Sequence, residues 1–188
     1  HNYLYLMSAM VGVAPDAASG RSANVIQSRY ATSTDWMPVG GYHQGPATDI
    51  AFSDNTATWP NAEWFFQDDE GEALIVSTQD SYCVYNDAGN QNEVLGIQIA
   101  QTGYAFGVSD FEDMIFFTFE VTNQSDVSYD SVYFGLYHDF DIGNDPYGVN
   151  DYSDDMLGFD AANNFIKVSD ADQSSLEWNG EPGMMGIV

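Results

Sequence analysis

The chain has 188 residues, 44% of them hydrophobic and 15% aromatic, and sets 3 basic residues against 29 acidic ones for a formal net charge of −26. Such a surface excludes nucleic acid and anionic membrane as natural partners, and the aromatic content excludes a disordered chain. No run of about 18 apolar residues marks a transmembrane helix, and no basic segment followed by an apolar one marks a signal peptide.

The length suits one domain with a substantial core, taken as residues 1–188. Apolar residues recur with a period of two, so strands are expected over 3–8, 73–78, 82–86, 113–123, 131–141 and 164–169, with a strand-pair candidate over 95–106. Residues 9–62 are less regular and read as long loops with short strands. In DMIFFTFEVTN, Ile115, Phe117, Phe119 and Val121 share one face; in SVYFGLYHDFD, Val132, Phe134, Leu136 and Phe140 do the same. Ile115, Phe117, Phe119, Phe134 and Leu136 are therefore expected deep in the core, and in LGIQIAQTGYAF Ile97 and Ile99 are expected to face inward. The polar link NQSDVSYD between the two runs reads as a hairpin connection, and its sequon at Asn123 as a polar turn. No segment carries apolar residues at helical spacing over three turns. The expected fold is all-β: an antiparallel β-sandwich, jelly-roll or Ig-like, with long Asp/Gly-rich loops. The apolar ends, HNYLYLMSAM and GMMGIV, read as strands in need of a partner sheet, which points to self-association by strand addition or to a piece of a larger secreted protein.

The acidity is specific: 21 Asp against 8 Glu. Asp is a short oxygen ligand that suits turns. A solvated surface tuned to high salt and a divalent-cation site both account for the bias, and both can hold. The densest stretch is YHDFDIGNDPYGVNDYSDD, residues 137–155, with six Asp and no Lys or Arg. Asp139 and Asp141 lie two apart on a strand, so their carboxylates share a face about 7 Å apart. A Gly-Asn-Asp-Pro turn brings Asp145, and a second loop returns Asp151, Asp154 and Asp155. Two loops can thus converge at one strand end and offer the oxygen-rich set that calcium takes. An EF-hand is excluded. Counted from Asp139, Asn144 stands where that motif needs Gly and Asn150 where it needs Glu. Zinc and copper are disfavoured, because no Cys is near and His138 points away from Asp139. Calcium is the expected cofactor, with Asp139, Asp141, Asp145, Asp151, Asp154 and Asp155 as ligands.

The stretch FEDMIFFTFEVTNQSDVSYDSVYFGLYHDFDIGNDPYGVNDYSDDMLGFDAANNFIKVSDAD, with Trp59-Pro60 and DSYCVYNDAG upstream, resembles a segment of large secreted proteins of the Bacteroidetes–Ignavibacteria–Rhodothermia type. The shared pattern runs Thr-Asn, a turn, a strand into Asp-x-Asp-Ile-Gly, a double Asp and then Phe-Asp. The resemblance implies a secreted or cell-surface protein, no enzymatic activity, and cation ligation by Asp139, Asp141, Asp154 and Asp155.

Three functions compete. The first is a non-catalytic extracellular structural or adhesive β-domain, stiffened by calcium and built into a surface filament or layer. The second is a carbohydrate-binding module of a polysaccharide-degrading protein, using Trp36, Trp59, Trp64 and Trp178 with the tyrosines as platforms; aromatics in a sandwich are mostly core, which weighs against it. The third is an enzyme. No GxSxG, HExxH or P-loop pattern occurs, His1, His43 and His138 are far apart in sequence, and the lone Cys83 has no suggested partner, so no activity is expected.

Overall fold

Alternating apolar and polar residues extend the backbone into strands, and the computed structural model is built from them. It describes residues 4–16, 20, 22–28, 35–42, 50–60, 63–91, 93–142, 155–171 and 184–188. The strands are β1 (Leu4–Val13), β2 (Asn24–Ile26), β3 (Met37–Pro38), β4 (Ala51–Phe52), β5 (Gln79–Asn86), β6 (Ile97–Ala105), β7 (Ile115–Asn123), β8 (Val132–Phe140), β9 (Asp155–Asp160), β10 (Phe165–Asp170) and β11 (Met184–Ile187). A 3-10 turn at Thr56–Thr58 is the only helical element among the described residues. The sheets run β2-β1-β8, β11-β10-β9 and β3-β5-β6-β7, with β4 also on β5. Every pairing with a defined register is antiparallel. The fold is all-β and consistent with a β-sandwich. No helix among the described residues is long and apolar enough to cross a membrane.

The chain divides into two compact units. One comprises His1–Val11, Arg29–Thr32 and Tyr133–Val188; the other comprises Gly12–Ser28 and Ser33–Val132. In the second unit β6 is the central strand, and its inward residues Ile97 and Ile99 are buried as expected, with Leu95 and Val84. Trp36 meets Tyr85 edge-on at 5.2 Å, and the segment Trp64–Phe66 covers β5 by setting Phe65 4.3 Å from Tyr82. Ser81, Gly103 and Phe117 form one cross-strand row. A Cβ on Gly103 would stand 2.6 Å from Ser81 Oγ and 3.0 Å from Phe117 Cε1, so only glycine lets these neighbours close.

Two aspartates at the ends of β5 organise this unit. Asp80 is 1% exposed and accepts Val76 N at 2.7 Å, Ser77 N at 2.8 Å and the Ser77 hydroxyl. Asp87, equally buried, accepts Leu95 N at 2.5 Å and Gly96 N and Ile97 N at 3.0 Å. A buried carboxylate is tolerated only when hydrogen-bonded, and these two are served by backbone amides.

In the first unit, β9 and β10 are joined by a turn in which Asn164 takes a left-handed φ of 51°. Asp160 accepts Ala162 N at 2.9 Å and Asn163 Nδ2 at 2.8 Å. The Asn163 side-chain bond, followed by the two backbone bonds, holds the Asp160 carboxyl below its ordinary range.

The sequence reading needs four corrections. Residues 73–78 form no strand; they make one isolated bridge, Ala73 to Gln67, and their backbone serves Asp80 instead. The polar link after β7 is not a hairpin, because β7 pairs with β6 and β8 with β1. Asn123 there accepts Ser125 N and donates to Val127 O, a local polar turn as expected. The expected core residues are not deeply buried: Ile115 is 66% exposed, Phe134 44% and Phe117 36%, while Phe119 and Leu136 are half-buried. β7 and β8 each end a sheet path, so among the described residues each has a strand neighbour on one side only. Finally, both apolar ends find partners within the chain, β1 between β2 and β8, and β11 on β10.

Candidate metal centre

Asp139 lies on β8, and Asp141 stands just past the end of the strand at Phe140. Alternation along the strand sends Asp139 to one side and His138 and Phe140 to the other. The His138 and Phe140 rings are stacked at 5.6 Å with an interplanar angle of 5°. Burial pushes the His138 pKa down, against a smaller upward pull from a Leu136 backbone hydrogen bond. The imidazole thus belongs to the apolar side, as expected, and not to the carboxylates.

Asp141 is in a different condition from Asp80 and Asp87. Burial pushes its carboxyl pKa up, and the charge of Asp139 pushes it further. A raised carboxylate pKa means that the charged form is under-compensated. Lys167, the one basic residue among those described, alternates with Val168 and Asp170 along β10 and so lies on the opposite sheet face from Asp170. Its stem packs over Gly158.

Asp155 begins β9 and reaches β8: its two oxygens lie 3.3 and 3.4 Å from Ile142 N, a long, shared hydrogen bond. Ile142 is wholly buried, which fixes this end of the strand. Directly across β10 from Asp155 stands Asp170, 4% exposed. The structure thus brings Asp155 to Ile142, just past the end of β8, and sets Asp170 across β9–β10 from it. The sequence reading passed over Asp170, whose relation to Asp155 exists only through the β9–β10 register. Asp145, Asp151 and Asp154 lie outside the described residues. Among the described residues, no three His, Cys, Asp or Glu converge as a metal-holding group.

The other candidates fall to structural roles. Trp36 and Trp64 are buried, and Trp59 is half-buried with its Nε1 donating to Phe52 O at 2.7 Å, so none of the three is an open sugar platform. Trp178, His1 and His43 lie outside the described residues. Cys83 is a half-buried thiol outside any disulfide, in the middle of β5. Compared with known proteins, the chain matches no family model, no curated protein and no solved structure.

Proposed function

We propose that this is a non-catalytic, extracellular structural β-domain in which a calcium ion ties the end of β8 to the start of β9. The observation that carries the reading is the acidic end of β8, where Asp141 follows Asp139 by two residues and Asp155 reaches Ile142 N. Burial first, and then the charge of Asp139, push the Asp141 carboxyl pKa up. The buried carboxylates Asp80 and Asp87 are served by backbone amides. A hard divalent cation supplies the missing positive charge and accepts carboxylate oxygens in flexible geometry. Asp139 and Asp141 would bind from the end of β8, Asp155 from β9, and Asp145, Asp151 and Asp154 are the remaining candidates. A structural or adhesive role, in a surface layer or filament, agrees with the large apolar side chains exposed on β7, β8 and β9.

Calorimetric titration tests the site. Calcium should bind at about 10⁻⁴–10⁻³ M, magnesium more weakly, and the Asp139→Asn, Asp141→Asn double variant should show no saturable calcium binding. Equal calcium heats in parent and double variant would remove the proposal.

A further inference from the structure

The second unit holds a feature with no part in the cation reading. Val76, Tyr104, Phe106, Val108, Phe111 and Phe116 line an open groove of about 420 Å³ with no polar surface. Phe106, Phe111 and Phe116 form a triangle with ring centroids 5.9–6.3 Å apart. Phe111, Phe116, Val76 and Val108 are all exposed. That volume accepts one or two large apolar side chains. Tyr104 and Phe116 are directly paired across β6 and β7, so the groove opens on one face at the end of that sheet. The wall strand β7 ends the sheet path, and among the described residues no strand pairs with its far side. A sheet edge of this kind takes an added strand, with backbone bonds for affinity and side-chain pockets for selectivity.

Charge selects the occupant. The turn that presents Phe111 reads Asp110-Phe111-Glu112-Asp113, and its three carboxylates are exposed. Along β7, Phe116, Thr118 and Glu120 share the groove face and are exposed. A strand laid along this edge therefore meets an apolar pocket at Phe116 and a carboxylate four residues on, at Glu120. A second copy of this chain is a poor match, since it brings another net charge of −26 and 3 basic residues in all.

We propose that the groove is a docking site for an extended segment of a partner protein that carries a large apolar residue and, four positions away, a Lys or Arg. The apolar side chain fills the pocket, and the basic one faces Glu120.

The test uses fluorescence anisotropy with the full chain and a labelled Thr/Ser peptide carrying one Leu and, four positions on, one Arg. Two control peptides replace Leu by Ala or Arg by Glu. The expected result is saturable binding of the first peptide, weakened roughly tenfold or more in either control and weakened by added salt. Val108→Gln and Glu120→Gln change exposed side chains and should leave the melting curve intact; the first should weaken the Leu/Arg peptide roughly tenfold, the second should abolish its preference over the Glu control. The proposal is overturned if the parent binds no peptide, if the Glu control binds as tightly as the Arg peptide, or if Val108→Gln leaves affinity unchanged. It is also overturned if sedimentation shows the parent to be a dimer that Val108→Gln dissociates, because the occupant is then a second copy.

Discussion

Asp155 stands directly opposite Asp170 across β9 and β10, and the register closes on the two like charges. Like charges that face each other across a strand pair repel. On the cation account, Asp170→Asn should lower the midpoint gain in saturating calcium relative to the parent. Chemical denaturation in calcium and in EDTA measures that gain.

Asp87 makes a separate prediction, free of any cation. Its carboxylate holds three consecutive amides, Leu95, Gly96 and Ile97, in a setting that excludes water. Asp87→Ala leaves those donors without an acceptor and should cost about 3 kcal/mol or more, with Asp87→Asn near 2 kcal/mol because the amide end repels an N–H. Urea unfolding measures both. A loss below about 0.5 kcal/mol for Asp87→Ala would mean that the amides are served in another way.

Gly103 tests the close approach of β5 and β7 across β6. Gly103→Ala drives a methyl into Ser81 Oγ and the Phe117 ring and should destabilise by about 1–3 kcal/mol. The double variant Gly103→Ala, Ser81→Gly should recover part of that loss, since it clears the nearer of the two clashes.

These elements show what the sequence made legible. The period of two located β5, β6, β7, β8 and β10, and it identified Ile97 and Ile99 as core because β6 is flanked on both sides. It could not tell that Ile115 and Phe117 sit on a sheet end, since alternation names a shared face and says nothing about what covers that face. Pairing was hidden for the same reason. The link from β7 to β8 has hairpin chemistry, yet β8 joins β1, a partner more than a hundred residues distant in sequence. β9 was missed because MLGFD is short and flanked by acids. Of the candidate site, the Asp139–Asp141 pair was readable from two-residue spacing; Asp170 was not, since its relation to Asp155 exists only through the β9–β10 register.

His138 sets the acid response. Its folded pKa is pushed below the unfolded value of about 6.5 by burial against Phe140. For a base with a lowered pKa, the unfolded state binds the proton first. The stability it protects is whole above that value and is lost as pH falls through it. His138→Phe should keep the ring stack and flatten the stability profile between about pH 7 and 5 relative to the parent. Melting curves across that range, in EDTA to keep the carboxylates cation-free, measure it; identical slopes would place the titration elsewhere.

The most direct measurement of the cation claim is thermal melting in millimolar calcium and in EDTA at matched ionic strength. Occupancy at ten to a hundred times the dissociation constant adds about 1.4–2.7 kcal/mol, or roughly 3–10 °C for a chain of this size. The parent should gain that much, and the Asp139→Asn, Asp141→Asn variant should gain little while melting no lower than the parent in EDTA. Equal gains in both proteins, or a parent gain that sodium chloride reproduces, would contradict the account and leave the acidic end of β8 as a solvated surface.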